Sequence, residues 1–260
     1  MRLSDLREYF ALKPILKEPW RFIRTWRKPL ERDEATIELR TGPAIKVRGN
    51  TTDRRIFHTI FARDEYRLND VPPGSWDTVV DIGAHIGFFA RRAAPLAKRV
   101  ICFEPVEANF SLLKINMDHP AFAHVKVNPV AIAEKDGPLE FFFSPTDPSS
   151  HTMLPGKKGC VVPMRVEATT LDRVFRENSV ETCDLLKLDC EGGEYSILRS
   201  TPAGLWPKIR RIRLEFHRGP EGWDASKLAA FLTERGYRCE VVPRRSHPDR
   251  GLMFAVRQTA

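Results

Sequence analysis

The sequence lacks any run of about 18 apolar residues, the length that a membrane-spanning helix needs. Its five cysteines are an odd number and form no C-x-x-C pair, so neither a disulfide framework nor a zinc ribbon is expected. Glycine (15) and proline (20) are too scattered for a collagenous or low-complexity chain. Basic residues interrupt the first apolar segment, so no secretory signal peptide is predicted. We therefore expect a cytoplasmic protein.

The composition is that of a globular domain: 260 residues, of which 42% are hydrophobic and 29% charged. The net charge is +8 and is unevenly distributed, because residues 1–30 hold eight basic residues against three acidic ones. A second basic cluster occupies 208–218. Such clusters either form solvated faces or attract anions, such as nucleic acid, phospholipid headgroups or phosphorylated substrates.

Residues 1–50 differ from the rest of the chain, and we assign them to an N-terminal arm and a short β element, with 51–260 as the main domain. Apolar residues recur near helical spacing in the arm, while Pro14 and Pro19 divide it into short helices. The basic residues between them allow two roles. In the first, which we favour, the arm packs on the domain. In the second, it makes a peripheral contact with the inner surface of an anionic membrane.

From Trp76 onward, apolar strands alternate with helices. Strands connected by helices pair in parallel, so we predict an α/β fold with a doubly wound, mostly parallel sheet. The last two strands are joined by a short turn and must pair antiparallel. The predicted strands are 36–39, 44–47, 78–82, 99–103, 125–130, 185–188, 209–216, 237–242 and 252–256, with an extra β excursion at 139–143 and a loop at 145–159. The predicted helices are 53–61, capped by Asp53, and 87–97, 109–117, 171–176, 196–200 and 226–235.

The strongest local motif is Asp81-Ile82-Gly83-Ala84-His85-Ile86-Gly87, at the end of a buried strand. Glycines allow close approach of a ligand, and the following helix offers free N–H groups at its start. The spacing is G-x-x-x-G and not the G-x-G-x-x-G dinucleotide fingerprint. No G-x-x-x-x-G-K-[ST] sequence occurs, so a P-loop is excluded.

Acidic residues follow the other strands. Glu104 ends the second strand of the region, 23 residues after Asp81, where a carboxylate commonly binds ribose hydroxyls. Asp189 ends a later strand in Leu186-Lys187-Leu188-Asp189-Cys190-Glu191-Gly192-Gly193-Glu194, and His217 ends the next. Because ligands bind beyond the carboxyl ends of such strands, these residues are predicted to share one rim.

Three blocks, at 81–87, 128–137 and 186–194, together resemble the FkbM family of class I S-adenosylmethionine-dependent methyltransferases. Phe103-Glu104-Pro105 is similar to the acidic motif of that class. The resemblance implies a Rossmann-like, seven-stranded methyltransferase sheet. It also implies S-adenosylmethionine as the cofactor and O-methylation of a saccharide, glycolipid or secondary metabolite. The chain departs from the family at His85, where Asn is usual, and at Gly192-Gly193, where Gly-Ala is usual.

The resemblance also implies roles for single residues. Glu104 would bind the ribose, residues 128–132 would flank the adenine, and Asp81 would hold the amino-acid end. Tyr66 would either close over the cofactor or pack as an ordinary aromatic residue. The cofactor-binding residues implied in this way are Tyr66, Asp81, Gly83, Ala84, His85, Gly87, Glu104, Pro105, Asn109, Val130, Ala131 and Asp189.

Methyl transfer from a sulfonium is an in-line displacement, so catalysis consists mainly of positioning the acceptor oxygen. A sugar hydroxyl is a poor nucleophile and profits from a general base. His217 suits this role near neutral pH, although a hydrogen-bonded rim residue is equally compatible with its position. The candidate catalytic residues are His217, Asp189, Glu191 and Glu194. His151 is a further, less favoured candidate.

Several alternatives remain open on the sequence. The carboxylates Asp189, Glu191 and Glu215 could hold Mg²⁺, but no fixed ligand spacing supports this, and no metal is predicted. The basic surface would suit an RNA methyltransferase, yet no Asn/Asp-Pro-Pro-Tyr/Phe motif occurs, which makes nucleic acid an unfavoured partner. A non-catalytic nucleoside-binding accessory protein and an NAD-dependent oxidoreductase are further alternatives. We expect a small-molecule or saccharide acceptor and make no prediction of oligomeric state.

Overall fold

The computed structural model describes residues 3–25, 34–49, 51–144, 147–152, 162–190, 192–220, 222–245 and 247–258. The chain begins with two helices, a hairpin and a third helix that continues as one π-helical turn over His58–Ala62. These elements are α1 (Leu3–Leu12), α2 (Pro19–Thr25), β1 (Glu34–Ile37), β2 (Ile45–Arg48) and α3 (Asp53–Phe57).

The rest of the described chain alternates strands and helices, apart from a block of four strands in the middle and two consecutive strands at the end. Its first part contains β3 (Trp76–Ile82), α4 (Phe88–Ala93), β4 (Ala97–Phe103), α5 (Glu107–Met117), β5 (Val125–Asn128), β6 (Ala131–Ile132), β7 (Gly137–Ser144), β8 (Asp147–Thr152) and β9 (Val162–Thr169). Its second part contains α6 (Leu171–Glu177), β10 (Leu185–Leu188), α7 (Glu194–Ser200), β11 (Arg211–Phe216), α8 (Ala225–Thr233), β12 (Tyr237–Arg244) and β13 (His247–Arg257).

Seven strands form the main sheet in the order β12-β13-β11-β10-β3-β4-β5. The strands from β11 to β5 are parallel, and β13 lies antiparallel to both of its neighbours. All four side chains of β10 are buried, as expected for a central parallel strand covered on both faces. The predicted α/β fold, with its mostly parallel seven-stranded sheet and antiparallel C-terminal strand, is confirmed.

The second, smaller sheet was only partly predicted. It has the order β6-β9-β7-β8, whereas the sequence indicated one β excursion followed by a loop. The loop prediction at 145–159 is wrong for Asp147–Thr152, which pairs with β7 as an edge strand. Proline and serine suggested a loop there, but an edge strand tolerates a proline because one of its sides makes no ladder hydrogen bonds.

The N-terminal arm packs on the domain. Tyr9 stacks on Trp20 with ring centroids 4.5 Å apart, and Leu12 and Leu16 are buried. These leucines belong to the same apolar cluster as Phe88 of α4, so the arm and the main domain share a core. No helix in the described ranges is long and apolar enough to span a membrane.

Candidate functional site

A cavity of about 720 Å³ opens at the carboxyl ends of the central parallel strands. The loops after β3, β4 and β10 form one end of it, and the last residues of β11 and β12 form the other. One face of α3 and its π-helical turn also lines the cavity. This position matches the crevice in which open α/β sheets bind their ligands.

The glycine-rich turn after β3 is held close to the loop after β10. Gly83 has φ +75°, and a Cβ atom at this position would lie 1.9 Å from the carbonyl oxygen of Asp189. Gly87, with φ +96°, packs against Leu113 and Met117 of α5 and does not line the cavity. The first glycine therefore allows the two loops to meet, and the second allows helix packing.

Glu104, in the loop after β4, is bonded to the glycine-rich turn after β3 and to its own loop. Its Oε2 accepts a hydrogen bond from the backbone N–H of His85 (2.9 Å), and its Oε1 accepts one from that of Val106 (2.9 Å). The Asn109 amide donates a third bond to Oε1 (3.3 Å). Burial raises the pKa of Glu104, although these hydrogen bonds act in the opposite direction. The carboxyl group is thus fixed at the cavity wall.

A buried ion pair supports the same loops from behind. Arg48 of β2 binds both carboxylate oxygens of Asp53, which is fully buried, at 2.9 and 3.1 Å. The guanidinium also donates to His85 Nε2 (2.9 Å) and to Asn109 Oδ1 (2.7 Å). Burial raises the pKa of Asp53, but the hydrogen bonds from Arg48 and the charges of His85 and Arg48 together outweigh this effect and bring the pKa below its ordinary value.

The expected cap at Asp53 is therefore wrong. Thr52 occupies the N-cap position of α3, and its side chain makes no capping hydrogen bond. The carboxylate of Asp53 is used by Arg48 instead. Sequence reasoning missed Arg48 altogether, because its partners lie up to 61 residues away along the chain.

Lys187 lines the cavity and contacts two predicted site residues. Its ammonium group is 3.1 Å from Asp81 Oδ1 and 4.0 Å from Asp189 Oδ2, and it donates to the Gly83 carbonyl (2.6 Å). Burial lowers the pKa of Lys187, but the charges of Asp81 and Asp189 raise it above its ordinary value. Asp189 also accepts a hydrogen bond from the Tyr66 hydroxyl (3.0 Å). Asp81 itself is fully buried and does not line the cavity.

His217 lies at the other end of the cavity, beside Glu194. Its Nδ1 is 3.1 Å from Glu194 Oε1, and Glu194 is fully buried. The same carboxylate accepts hydrogen bonds from the backbone N–H groups of Cys190 (3.1 Å) and Gly192 (3.0 Å). Glu194 is thereby held rigidly, and it orients the imidazole ring.

Two further acids at this end were not predicted as site residues in their own right. Glu215 lines the cavity, and its Oε1 lies 2.7 Å from an Arg244 nitrogen and 3.8 Å from His217 Nε2. Burial, reinforced by the charge of Asp189, raises the pKa of Glu215 to about 8. Burial also raises the pKa of Glu65, which lies 3.7 Å from Arg244. Their position, after the π-helical turn for Glu65 and at the end of β11 for Glu215, is the only signal that the sequence offers.

The structure brings most of the predicted site residues to one cavity. Asp81, Gly87 and Glu194 lie behind its wall, and Glu191 lies outside the described residues. Within the described ranges, no group of three or more His, Cys, Asp or Glu side chains is arranged to hold a metal ion. The predicted residues that line the cavity are Tyr66, Gly83, Ala84, His85, Glu104, Pro105, Asn109, Val130, Ala131, Asp189 and His217.

The strand order is that of the Rossmann-like methyltransferase fold, with a glycine turn after β3 and a carboxyl group after β4. The chain belongs to the FkbM methyltransferase family, because the family's model, described as "Methyltransferase FkbM domain", matches residues 81–239, more than half of the sequence. The protein is therefore a methyltransferase enzyme, and this family and fold imply the use of S-adenosylmethionine.

Individual relatives agree with this assignment. The chain is 26% identical over 218 residues to methyltransferase sdnD of Sordaria araneosa, which covers 70% of this chain and 81% of that protein. It is 24% identical over 181 residues to methyltransferase 1 of Beauveria bassiana, and this match covers 62% of this chain and 72% of that protein. The crystal structure of methyltransferase FkbM from Methylobacillus flagellatus has the same fold, with a TM-score of 0.51 at 14% identity. That match covers 76% of this chain and 47% of the other, so this chain spans about half the length of that relative.

Proposed function

We propose that the protein is an S-adenosylmethionine-dependent O-methyltransferase that acts on a hydroxyl of a saccharide, glycolipid or secondary metabolite. The observation that carries this proposal is that His217, oriented by the buried Glu194, lines the same cavity as the Gly83 turn and Glu104. A base is useful for a hydroxyl acceptor, because the oxygen must lose its proton as the methyl group arrives.

The residues at the β3–β5 end fit S-adenosylmethionine. The close backbone approach at Gly83 leaves room for its amino-acid end, and Glu104 offers a carboxyl group to the ribose hydroxyls. Val130, Ala131 and Ile132 provide an apolar wall for the adenine. The bound cofactor supplies a sulfonium methyl group. A cavity of about 720 Å³ lies within the range of small-molecule sites and leaves space for part of an acceptor.

On this proposal, His217 takes the proton of the acceptor hydroxyl. A carboxylate only accepts hydrogen bonds, so Glu194 keeps the hydrogen of the neutral imidazole on Nδ1 and the lone pair on Nε2. Tyr66 and Lys187 hold the Asp189 carboxylate at the cavity wall, where it orients the cofactor ammonium or the acceptor. The surrounding apolar side chains of α4 exclude water from the reacting atoms.

Calorimetric titration of S-adenosylhomocysteine tests the cofactor part. We expect micromolar binding by the wild type. The affinity of Glu104→Gln should be lower by roughly tenfold or more, because an NH₂ group, which cannot accept a hydrogen bond, replaces one carboxylate oxygen. Glu107→Gln, an exposed change three residues further along, is the matched control. A folded protein that binds no S-adenosylhomocysteine would contradict the proposal.

The acceptor part is tested with S-adenosylmethionine that carries a ¹³C-labelled methyl group. The enzyme is incubated with separate pools of saccharides, glycolipids, hydroxylated secondary metabolites and RNA. We expect the label in a methoxy group of a non-nucleic-acid product, as identified by NMR. Label found only on nitrogen, or only in RNA, would overturn O-methylation as the function.

A further inference from the structure

The far end of the cavity has a concentration of guanidinium groups that the proposed chemistry does not use. Arg63 reaches it from the end of the π-helical turn, and Arg244, Arg245 and Arg250 reach it from the tips of β12 and β13. Arg55 lines the cavity two helical turns before Arg63. The arginines therefore come from two regions, 55–63 and 244–250, that are far apart in the sequence.

Only part of this positive charge is balanced by neighbouring acids. Arg244 is 2.7 Å from Glu215 and 3.7 Å from Glu65, and Arg63 is 3.9 Å from Glu8. Among the residues that the structure describes, no carboxylate lies within ion-pair distance of the Arg55, Arg245 or Arg250 side chains. Burial raises the pKa of both acids that face Arg244, Glu65 and Glu215, and so acts against their charged forms. The cluster has a surplus of positive charge around neutral pH.

A neutral saccharide gives no reason for this surplus. Like charges that converge on one cavity repel one another, and this cost is recovered when an anion binds between them. Guanidinium groups match phosphate oxygens because they donate two hydrogen bonds in a fixed plane. The hydroxyl next to His217 and an anion next to Arg245 would then belong to the same bound molecule, since both residues line one continuous cavity.

We propose that the methyl acceptor carries a phosphate group, which Arg245 and Arg250 bind together with Arg63 at the end of the cavity remote from Glu104. This inference rests on the proposed function, because it assigns the substrate class of the same site. The shared chemistry is a phosphate ester, borne either by a soluble sugar phosphate or by a lipid-linked acceptor.

The test measures phosphate binding without requiring the true acceptor. Protein saturated with S-adenosylhomocysteine is titrated with glucose 1-phosphate, with pyrophosphate and with glucose. We expect saturable binding of both phosphates and none of glucose. Arg245→Gln/Arg250→Gln should weaken phosphate binding by roughly tenfold or more, since charge-assisted hydrogen bonds are lost. Affinity for S-adenosylhomocysteine should stay within about twofold of wild type.

A matched control separates a local site from a general effect of charge. Arg165→Gln/Arg176→Gln removes the same charge from exposed positions on β9 and α6, outside the cavity lining. It should leave phosphate binding unchanged. Failure of both phosphates to bind, or equal loss in the two double variants, would overturn the inference. Thermal unfolding of each variant shows that it is folded.

Two further comparisons resolve the source of the phosphate and the dependence on the proposed function. Sedimentation with phosphatidylcholine vesicles, with and without phosphatidic acid, supports a lipid-borne acceptor if only the acidic vesicles bind and the Arg245/Arg250 variant does not. Binding of soluble phosphates alone supports a soluble acceptor.

Phosphate binding without any S-adenosylhomocysteine binding would refute the methyltransferase proposal but would not contradict the phosphate site. Binding of S-adenosylhomocysteine without any binding of phosphate would refute the phosphate site alone.

Discussion

Arg48 donates a hydrogen bond of 2.7 Å to Asn109, which lies 61 residues further along the chain. The bond connects the hairpin of the N-terminal segment to the helix that follows Glu104. Because Arg48 also binds His85 and the buried Asp53, one guanidinium holds the turn after β3, the start of α3 and the start of α5 together beside Glu104. The N-terminal segment therefore takes part in shaping the site as well as in covering the core.

Replacing Arg48 with Met should destabilise the protein by about 3–5 kcal/mol, because the Asp53 carboxylate is left buried without its ion pair. The double variant Arg48→Met/Asp53→Leu removes that charge and should recover most of the free energy of unfolding. It should still bind S-adenosylhomocysteine roughly tenfold more weakly than wild type, since His85 and Asn109 have lost their shared donor. Denaturant unfolding and calorimetry measure the two effects. Wild-type affinity in the double variant would show that Arg48 has no positioning role.

Gly83→Ala and Gly74→Ala form a matched pair that separates backbone strain from steric overlap. Both glycines have positive φ, +75° and +67°, but only at Gly83 would a Cβ atom meet a neighbour, the Asp189 carbonyl at 1.9 Å. Gly74→Ala should cost about 1–2 kcal/mol in unfolding free energy. Gly83→Ala should cost more and should also abolish cofactor binding, because the loops after β3 and β10 must separate. Similar unfolding energies for the two variants would contradict this reading of the turn.

Local patterns were sufficient to predict the main sheet, because β3, β4 and β10 are apolar runs that end in glycine or acidic residues. They also placed Glu104 and His217 on one cavity, since the carboxyl ends of parallel strands meet at one edge. The Arg48–Asp53 pair could not be found in this way. A sequence does not distinguish an exposed arginine from one that is largely buried. The capping role expected for Asp53 came from a local sequence rule, but in the folded protein its carboxylate pairs with Arg48 instead. The pairing of β8 depended in the same way on backbone contacts that no periodicity reports.

If His217 is the general base, its replacement should lower the rate of methyl transfer without weakening cofactor binding. His217→Gln should lower kcat by about 10²–10⁴-fold with the acceptor identified by the labelling experiment, which is the usual contribution of a general base. Affinity for S-adenosylhomocysteine should change by no more than about twofold, because His217 lies at the opposite end of the cavity from Glu104. His119→Gln, an exposed change, is the control. A variant with near-normal kcat would leave His217 as a hydrogen-bonded rim residue.

Glu215 predicts a dependence of stability on pH. Its pKa is about 8 in the folded protein, because of burial and the nearby Asp189 charge, whereas an ordinary glutamate titrates near 4.3 in an unfolded chain. Between these values the folded state holds more protons than the unfolded state. Stability must then fall as pH rises through this window, by at most about 1.4 kcal/mol per pH unit for one group.

Denaturant unfolding of wild type and Glu215→Gln at pH 6 and pH 8 measures this contribution. The wild type should lose more unfolding free energy than the variant between the two pH values, because glutamine has no proton to release. Glu167→Gln, an exposed change on β9, should behave as wild type. Equal pH slopes in wild type and Glu215→Gln would mean that Arg244, 2.7 Å away, keeps the carboxylate charged in the folded protein. The end of the cavity near Arg244 would then be less positive than burial alone implies, which would weaken the case for a phosphate-bearing acceptor.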